Sequence, residues 1–435
     1  MIASVRIHSP RRWRLAGAWA FVALLLVTEV VGHRFHLPRS GSWVDTYVYA
    51  RSASGFVSDP GGLYDAATRQ LHSASAQNAF IYPPSALLPF LPLVPVTRTL
   101  GVAWTAEIWT WIDGVALLAA LVLLAHRLGM GAERTAWVLA GLMLTLPVLS
   151  EIDSGQVEGV ILLMLVLSWR AWPHTSSGIL LGGALALKPV APWLLLVPLA
   201  MRRPRVTVAA VATLTVLNLP FVPLVGAQGM SFYLLHFLPF MGTHVMQDVA
   251  NVSVANLLQT WLAGVPMMPS DHTAVSPLHS TVAAVLALLA LRGAAIAVFA
   301  RELWLRHQAP LVLFAMALAA VPLLAPTVWA HYDVFLLPAV LVLLTARSAR
   351  VRRVTGACIA AVALLNCMLD ATTFHLAMYP VDLARDRSAA NVLTVVQDAL
   401  LALASVVVVV GVGFARRPQR EPEPQRLRQA AAATT

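Results

Sequence analysis

The chain has 435 residues, 59% hydrophobic and only 11% charged, whereas an ordinary soluble domain runs at about 45–50% and about 25%. That balance excludes a soluble globular protein and a disordered chain. With a mean hydropathy of +0.74 and apolar runs recurring from end to end, it predicts an all-α polytopic membrane protein, because only helices satisfy their own backbone within lipid. The net charge of +10 does not call for nucleic acid, since the arginines cluster beside apolar runs, where they act as topology signals.

Arg6, Arg11, Arg12 and Arg14 precede an apolar run from Leu15 to Val31. The run is long and lacks a small-residue cleavage site, so it reads as an uncleaved first span running from inside to outside. A first extracytoplasmic loop at 33–79 follows from that orientation. Between Phe80 and Met201 lie five apolar candidates. If all five cross, the protein has 12 spans, but Arg127, Arg134 and Arg170 then face outward. Positive-inside counting favours about 10 full spans, with Phe80 to Val96 dipping into the outer interface and Ser177 to Met201 forming a hairpin broken at Lys188-Pro189. Later spans are expected at Val206–Val225, Ser280–Ala300, Pro310–Pro326, Asp333–Ala346, Val354–Leu369 and Asn391–Phe414, with Arg202, Arg203, Arg205, Arg347, Arg350, Arg352 and Arg353 inside. The segments Gly226–His279, Thr327–Tyr332 and Asp370–Ala390 then lie outside. Residues 1–414 read as a single multi-span domain and 415–435, rich in Pro, Arg, Glu and Ala, as a disordered cytoplasmic tail. Cys358 and Cys367 are nine residues apart on one apolar helix and face roughly opposite ways, so no disulfide or thiolate metal site is expected.

The polar residues of such a chain need reasons. Asp45, the carboxylate nearest the first span, is either a helix N-cap or a base at the membrane surface, where partial desolvation raises its pKa. Tyr82-Pro83-Pro84 suits a helix entry with an interfacial tyrosine. Glu151, Asp153 and Gln156 crowd a corner where a two-residue turn would do, and serve either loop solvation or ligand contact. Lys188 at membrane depth costs about 2.5–3.5 kcal/mol on insertion scales and needs an anion or a snorkelling path. Asn251-Val252-Ser253 reads as a hydrogen-bonding turn in an outer loop. The corner Trp329 to Asp333 places His331 among aromatic side chains of the kind that stack on sugar rings. His236, His244, His331 and His375 are too scattered for metal-ligand spacing, so no metal is expected.

Taken in order, Asp45-x-Tyr47-x-Tyr49, Gly62-Leu63-Tyr64, Phe80-Ile81-Tyr82-Pro83-Pro84, Gly155-Gln156, Gly182 to Leu187 with Lys188-Pro189, Asn251-x-Ser253 and Trp329-x-His331 with Leu336-Leu337-Pro338 resemble glycosyltransferase family 87. The resemblance implies a GT-C-type fold in a bacterial cell membrane, with an active site on the extracytoplasmic face. It implies transfer of a sugar from a polyprenyl-phosphate donor to a glycolipid or cell-envelope glycan acceptor, with no cofactor. The lipid-linked donor, the acceptor and the bilayer are then the partners, and mannose is the favoured sugar. The Leu187-Lys188-Pro189 form and the stretch Pro223 to Phe232 also resemble a related arabinofuranosyltransferase. Asp45 maps to the family's base, while Arg51, Tyr82, Gln156, Lys188, Asn251 and His331 are candidates for donor or acceptor binding. A transporter or flippase of lipid-linked sugar would use the same intramembrane lysine without a base, but the long first outer loop favours an enzyme.

Overall fold

A chain with so few charges must close its backbone hydrogen bonds within helices, and it does so from the first described residue onward. The computed structural model describes residues 10–36, 44–73, 79–247, 251, 253–263, 274–277, 282–305, 310–346 and 348–360. The expected final spans beyond residue 360, the 415–435 tail and Cys367 lie outside the described residues, whereas Cys358 is exposed.

The order is α1 (Pro10–His36), α2 (Val44–Ser58), α3 (Asp65–Ser73), α4 (Val94–Leu100), α5 (Val102–Arg127), α6 (Ala132–Met143), α7 (Leu146–Ser154), α8 (Glu158–Arg170) and α9 (Thr175–Leu187). It continues through α10 (Leu196–Ala200), α11 (Pro204–Asn218), α12 (Phe221–Ser231), a π-turn at Phe232–Phe237 and α13 (Leu238–Thr243). Then come β1 (His244–Gln247), α14 (Val254–Ala263), β2 (Ala274–Pro277), α15 (Val282–Leu305), α16 (Pro310–Ala319), α17 (Val321–Leu324), a 3-10 segment at Ala330–Leu336 and α18 (Leu337–Leu344). Apart from the antiparallel β1–β2 ribbon, in register from His244 opposite Pro277 to Gln247 opposite Ala274, and a lone bridge between Asn251 and Trp329, regular structure among the described residues is helical.

Among these residues, four helical stretches are long and apolar enough to cross a bilayer: Trp13–Val31, Val102–Arg127, Phe221–Thr243 and Val282–Trp304. The pair α6–α7, bent by 67°, makes a fifth if it counts as one span. Shorter apolar helices lie at Thr175–Leu187, Pro204–Asn218, Pro310–Ala319 and Ala330–Leu344. The chain is thus a multi-pass membrane protein. Residues 80–96 are not one helix but a chain of 3-10 turns leading into α4, and Ser177–Met201 breaks after Leu187 as its Lys188-Pro189 pair predicts. One expectation fails: Gly226 to Thr243, read as polar outer chain, continues helically from Phe221. Gly226 and Pro239 imitate a loop, but the residues between them are apolar enough to stay helical, and the chain absorbs Gly226 as a kink.

The interior is one extended apolar cluster running through α1, α2, α5 to α9 and the 3-10 segment, with Tyr49, Phe90, Leu117, Leu139, Ile161 and Phe335 fully buried. On the outside, α11 and α15 leave large apolar side chains uncovered, such as Val208, Val216, Val282, Leu286 and Ile296, as faces turned to lipid must.

Two packing devices position the polar cluster. First, α8 and α9, 13 residues each, pack antiparallel. The Ser168 hydroxyl donates to the Ser177 carbonyl at 2.8 Å at their tight end, and Glu158 and Lys188 meet at the open end. Second, Gly178 and Gly182 let α9 lie directly on the backbone of α11: a Cβ on either would fall 2.2 Å from the Val206 or Ala210 carbonyl oxygen. This is the small-residue contact that membrane helices use in place of a hydrophobic driving force.

Gly182→Val should therefore separate α9 from α11 and destabilise the protein by at least the usual overpacking cost of about 1–3 kcal/mol. Gly293→Ala, where nothing lies within 4 Å of the added carbon, should leave stability unchanged or raised. Thermal melting of both variants in detergent, read by size exclusion, checks the contrast.

Candidate active site

The site grows from the start of α8. The first N–H groups of a helix lack intrahelical acceptors, and here carboxylates supply them. Val157 donates to Glu158 Oε2 at 3.1 Å, Gly159 to Glu151 Oε1 at 3.1 Å and Val160 to Asp113 Oδ1 at 2.8 Å. These acids come from α8 itself, α7 and the middle of α5, all three buried, and the positive end of the helix dipole favours them. Just before α8, α7 ends on Gly155 in the left-handed conformation (φ 61°, ψ 50°). Its carbonyl accepts the Thr46 hydroxyl of α2, and the next carbonyl, of Gln156, accepts the Trp109 indole N–H at 2.6 Å. A side chain at Gly155 is barred twice over, since its Cβ would meet Thr46 Oγ1 at 2.0 Å.

Lys188 closes the cluster from the opposite side. The residue is 2% exposed, and its ammonium is ion-paired with Glu158 and donates to Gln156 Oε1 at 3.1 Å. It also lies 4.9 Å from the ring centre of Tyr82 and 4.2 Å from that of Tyr332. Two of its three N–H donors are thus engaged by side-chain oxygens. Tyr82 is fixed in turn by stacking on Tyr49 at 4.7 Å and by the Tyr64 hydroxyl, which donates to its carbonyl at 2.8 Å. His331 Nε2 lies 3.8 Å from Glu158 Oε1. Among the described residues, His331 Nε2 is buried with no hydrogen-bond partner, an arrangement that calls for an explanation in a folded protein.

Asp45 sits in the first turn of α2, inside the helix rather than at its N-cap, and Thr46 beside it is clamped to Gly155. Burial pushes the Asp45 carboxyl up to about 6, against the opposing effects of the Lys188 charge and the Gln156 side chain, with Glu158 and Asp153 adding to the rise. A carboxyl with that pKa can accept a proton near neutral pH.

Five of the seven residues singled out from sequence, Asp45, Tyr82, Gln156, Lys188 and His331, therefore meet in one polar cluster. The other two are engaged elsewhere. Arg51 is exposed on α2, its guanidinium 5.8 Å from the Tyr47 ring centre. Asn251 is buried as a backbone clasp: its Nδ2 donates to Met246 O at 2.6 Å, and its Oδ1 accepts Val328 N–H at 2.9 Å and Ser253 N–H at 3.1 Å. Sequence reasoning missed Glu158 and Asp113. The one available signal for Glu158 was a second acid two residues past Gln156 at the mouth of an apolar run.

The family model for glycosyltransferase family 87 matches residues 80–326, a stretch that includes Tyr82, Gln156, Glu158 and Lys188, while Asp45 and His331 lie outside it. A polyprenol-phosphate-mannose-dependent alpha-(1-2)-phosphatidylinositol pentamannoside mannosyltransferase of Mycolicibacterium smegmatis is 27% identical over 334 residues, 74% of this chain and 75% of that protein. An alpha-(1->3)-arabinofuranosyltransferase of Corynebacterium glutamicum is 26% identical over 270 residues, 60% of this chain and 62% of that one, less than two thirds of its length. No solved structure matches.

Removing the ammonium alone strands a buried carboxylate, which typically costs about 3–5 kcal/mol. Lys188→Met should therefore lower the melting temperature sharply, and Glu158→Gln in the same chain should restore much of the loss. If the double variant melts no higher than the single one, the pair does not carry the local structure.

Proposed function

The chain belongs to glycosyltransferase family 87, and from that premise we propose that it moves mannose from a polyprenyl-phosphate donor to a glycolipid or envelope-glycan acceptor, with Asp45 as the base. The observation that carries this reading is that Asp45, its carboxyl pushed up to about 6 by burial, lies within the electrostatic reach of the buried Lys188 ammonium, which is itself paired with Glu158. In the reaction an acceptor hydroxyl oxygen attacks the anomeric carbon, the C–O bond to phosphate breaks, and the hydroxyl proton passes to Asp45. The lipid monophosphate departs with the bonding pair, and the anomeric centre inverts. Lys188, with His331 close by against the same Glu158 carboxylate, stabilises the departing phosphate. Mannose is favoured over arabinofuranose because the mannosyltransferase relative aligns with more of the chain. Both donors belong in the assay.

Asp45→Asn keeps the shape and removes the basicity, so turnover with the preferred polyprenyl-phosphate sugar should fall by about 10²–10⁴-fold. Wild-type-like turnover would remove Asp45 from the mechanism. Because the base acts only when deprotonated, wild-type kcat/KM should be flat above pH ~6 and fall about tenfold per unit below it. A profile without that acid limb would assign the proton to another group.

The extracytoplasmic placement of the site has its own test. With Cys358 and Cys367 replaced, a cysteine at Ser154, at the end of α7 and partly exposed, should react with an impermeant thiol reagent in intact cells. Labelling only after lysis would turn the site inward.

A further inference from the structure

A cavity lies beside the cluster and takes no part in the chemistry above. It is an open cleft of about 1030 Å³, as large as the largest ordinary small-molecule sites. One wall comes from the chain between α2 and α3 and from α3 itself, and the other from α12, the π-turn and α13. The α3 wall is hydrophilic, and Asp65 and Thr68 face the cleft from it. Opposite them stand Gln228 and Ser231, with Phe232 at the start of the π-turn, a helix distortion found disproportionately at functional sites. Tyr64 forms the floor. Its ring stacks on Tyr233 at 5.5 Å and lies 6.0 Å from Phe232, while its hydroxyl donates to the carbonyl of Tyr82, whose ring faces the Lys188 ammonium. One tyrosine therefore separates the cleft from the polar cluster.

This lining suits a saccharide. Aromatic faces take the apolar faces of a sugar ring, and the acid, amide and hydroxyl groups take its hydroxyls. An acyl chain would find one wall made of a polar helix, and among the described residues that line the cleft there is no arginine or lysine to hold a phosphate, His236 being the one side chain there that can take a positive charge. We infer that this cleft binds the sugar portion of the acceptor and presents it across Tyr64 to the reacting cluster. The inference rests on the transferase reading for the word acceptor, but not for the saccharide itself.

The test uses the full chain in nanodiscs. An alkyl mannoside, an alkyl arabinofuranoside and dodecyl phosphate are titrated separately, and binding is read by saturation-transfer NMR on the ligand. Ala227 is exposed and lines the cleft, so Ala227→Trp fills it without touching the core. At least one glycoside should bind the wild type and lose at least tenfold in affinity in Ala227→Trp, with dodecyl phosphate unaffected. Tyr64→Leu should weaken the glycoside in the same way. In transfer assays Ala227→Trp should raise the acceptor KM at least tenfold and leave the donor KM within twofold. Failure of both glycosides to bind, unchanged binding in Ala227→Trp, loss of dodecyl phosphate instead, or a raised donor KM with a constant acceptor KM would each overturn the assignment. If no polyprenyl-phosphate sugar is transferred while glycoside binding still depends on Ala227 and Tyr64, the transferase reading fails and the saccharide cleft stands.

Discussion

An ammonium in an apolar helix bundle is tolerated only if something answers its charge, and at Lys188 the answer is Glu158. The pair sits where four separate pieces of chain converge: the end of α9, the start of α8, the Tyr82 turn and the 3-10 segment carrying His331 and Tyr332. Each piece is anchored independently. The hairpin is tied at its far end through Ser168, and the Tyr82 turn is fastened by the Ser85 hydroxyl, which donates to the Ala186 carbonyl two residues before the lysine. The 3-10 segment packs on α7. The pair's geometry is therefore imposed by its supports, which is how a costly buried charge acquires a fixed position.

Around that fixed charge, the acids divide into two kinds. Asp113, Glu151 and Glu158 are buried and hold the opening turn of α8 through its backbone N–H groups. Asp45 approaches from a different helix, with its carboxyl desolvated although the residue as a whole is only half-buried. The first three build the platform, and the fourth is left at its edge with an adjustable proton. Gln156 connects the two kinds, since its Oε1 accepts from Lys188 and its side chain also acts on Asp45.

How much of this could be read beforehand depended on whether a residue's role was written into its local sequence. Lys188-Pro189 announced itself, because a charge and a helix breaker inside an apolar run have few explanations, and the helix does end there. Glu158 was silent, since an acid opening a helix is ordinary on dipole grounds alone and only the folded hairpin shows that it faces Lys188. Asp113 was hidden in the same way, its partner being a backbone N–H on α8, 47 residues away. Asn251 and Gln156 looked equivalent in sequence, both amides near turns, yet one spends its side chain on backbone and the other faces the ammonium. The kinked helix from Phe221 to Thr243 was misjudged because its glycine and prolines carry the local signature of a loop, while its packing is non-local.

The 13-residue length of α8 and α9 has a consequence for which molecules can reach Lys188. At 1.5 Å per residue such a helix covers about 20 Å, against a hydrocarbon core of about 30 Å. Were the tight end of the hairpin to lie at one boundary, the open end would stop roughly 10 Å short of the other. A water-soluble nucleotide sugar would have to drag two charged phosphates down that distance, whereas a phosphate carried on a membrane-embedded chain can approach sideways from within the leaflet. On the proposed reading, a hairpin of that length would favour a donor phosphate that arrives from within the leaflet over one that arrives from water.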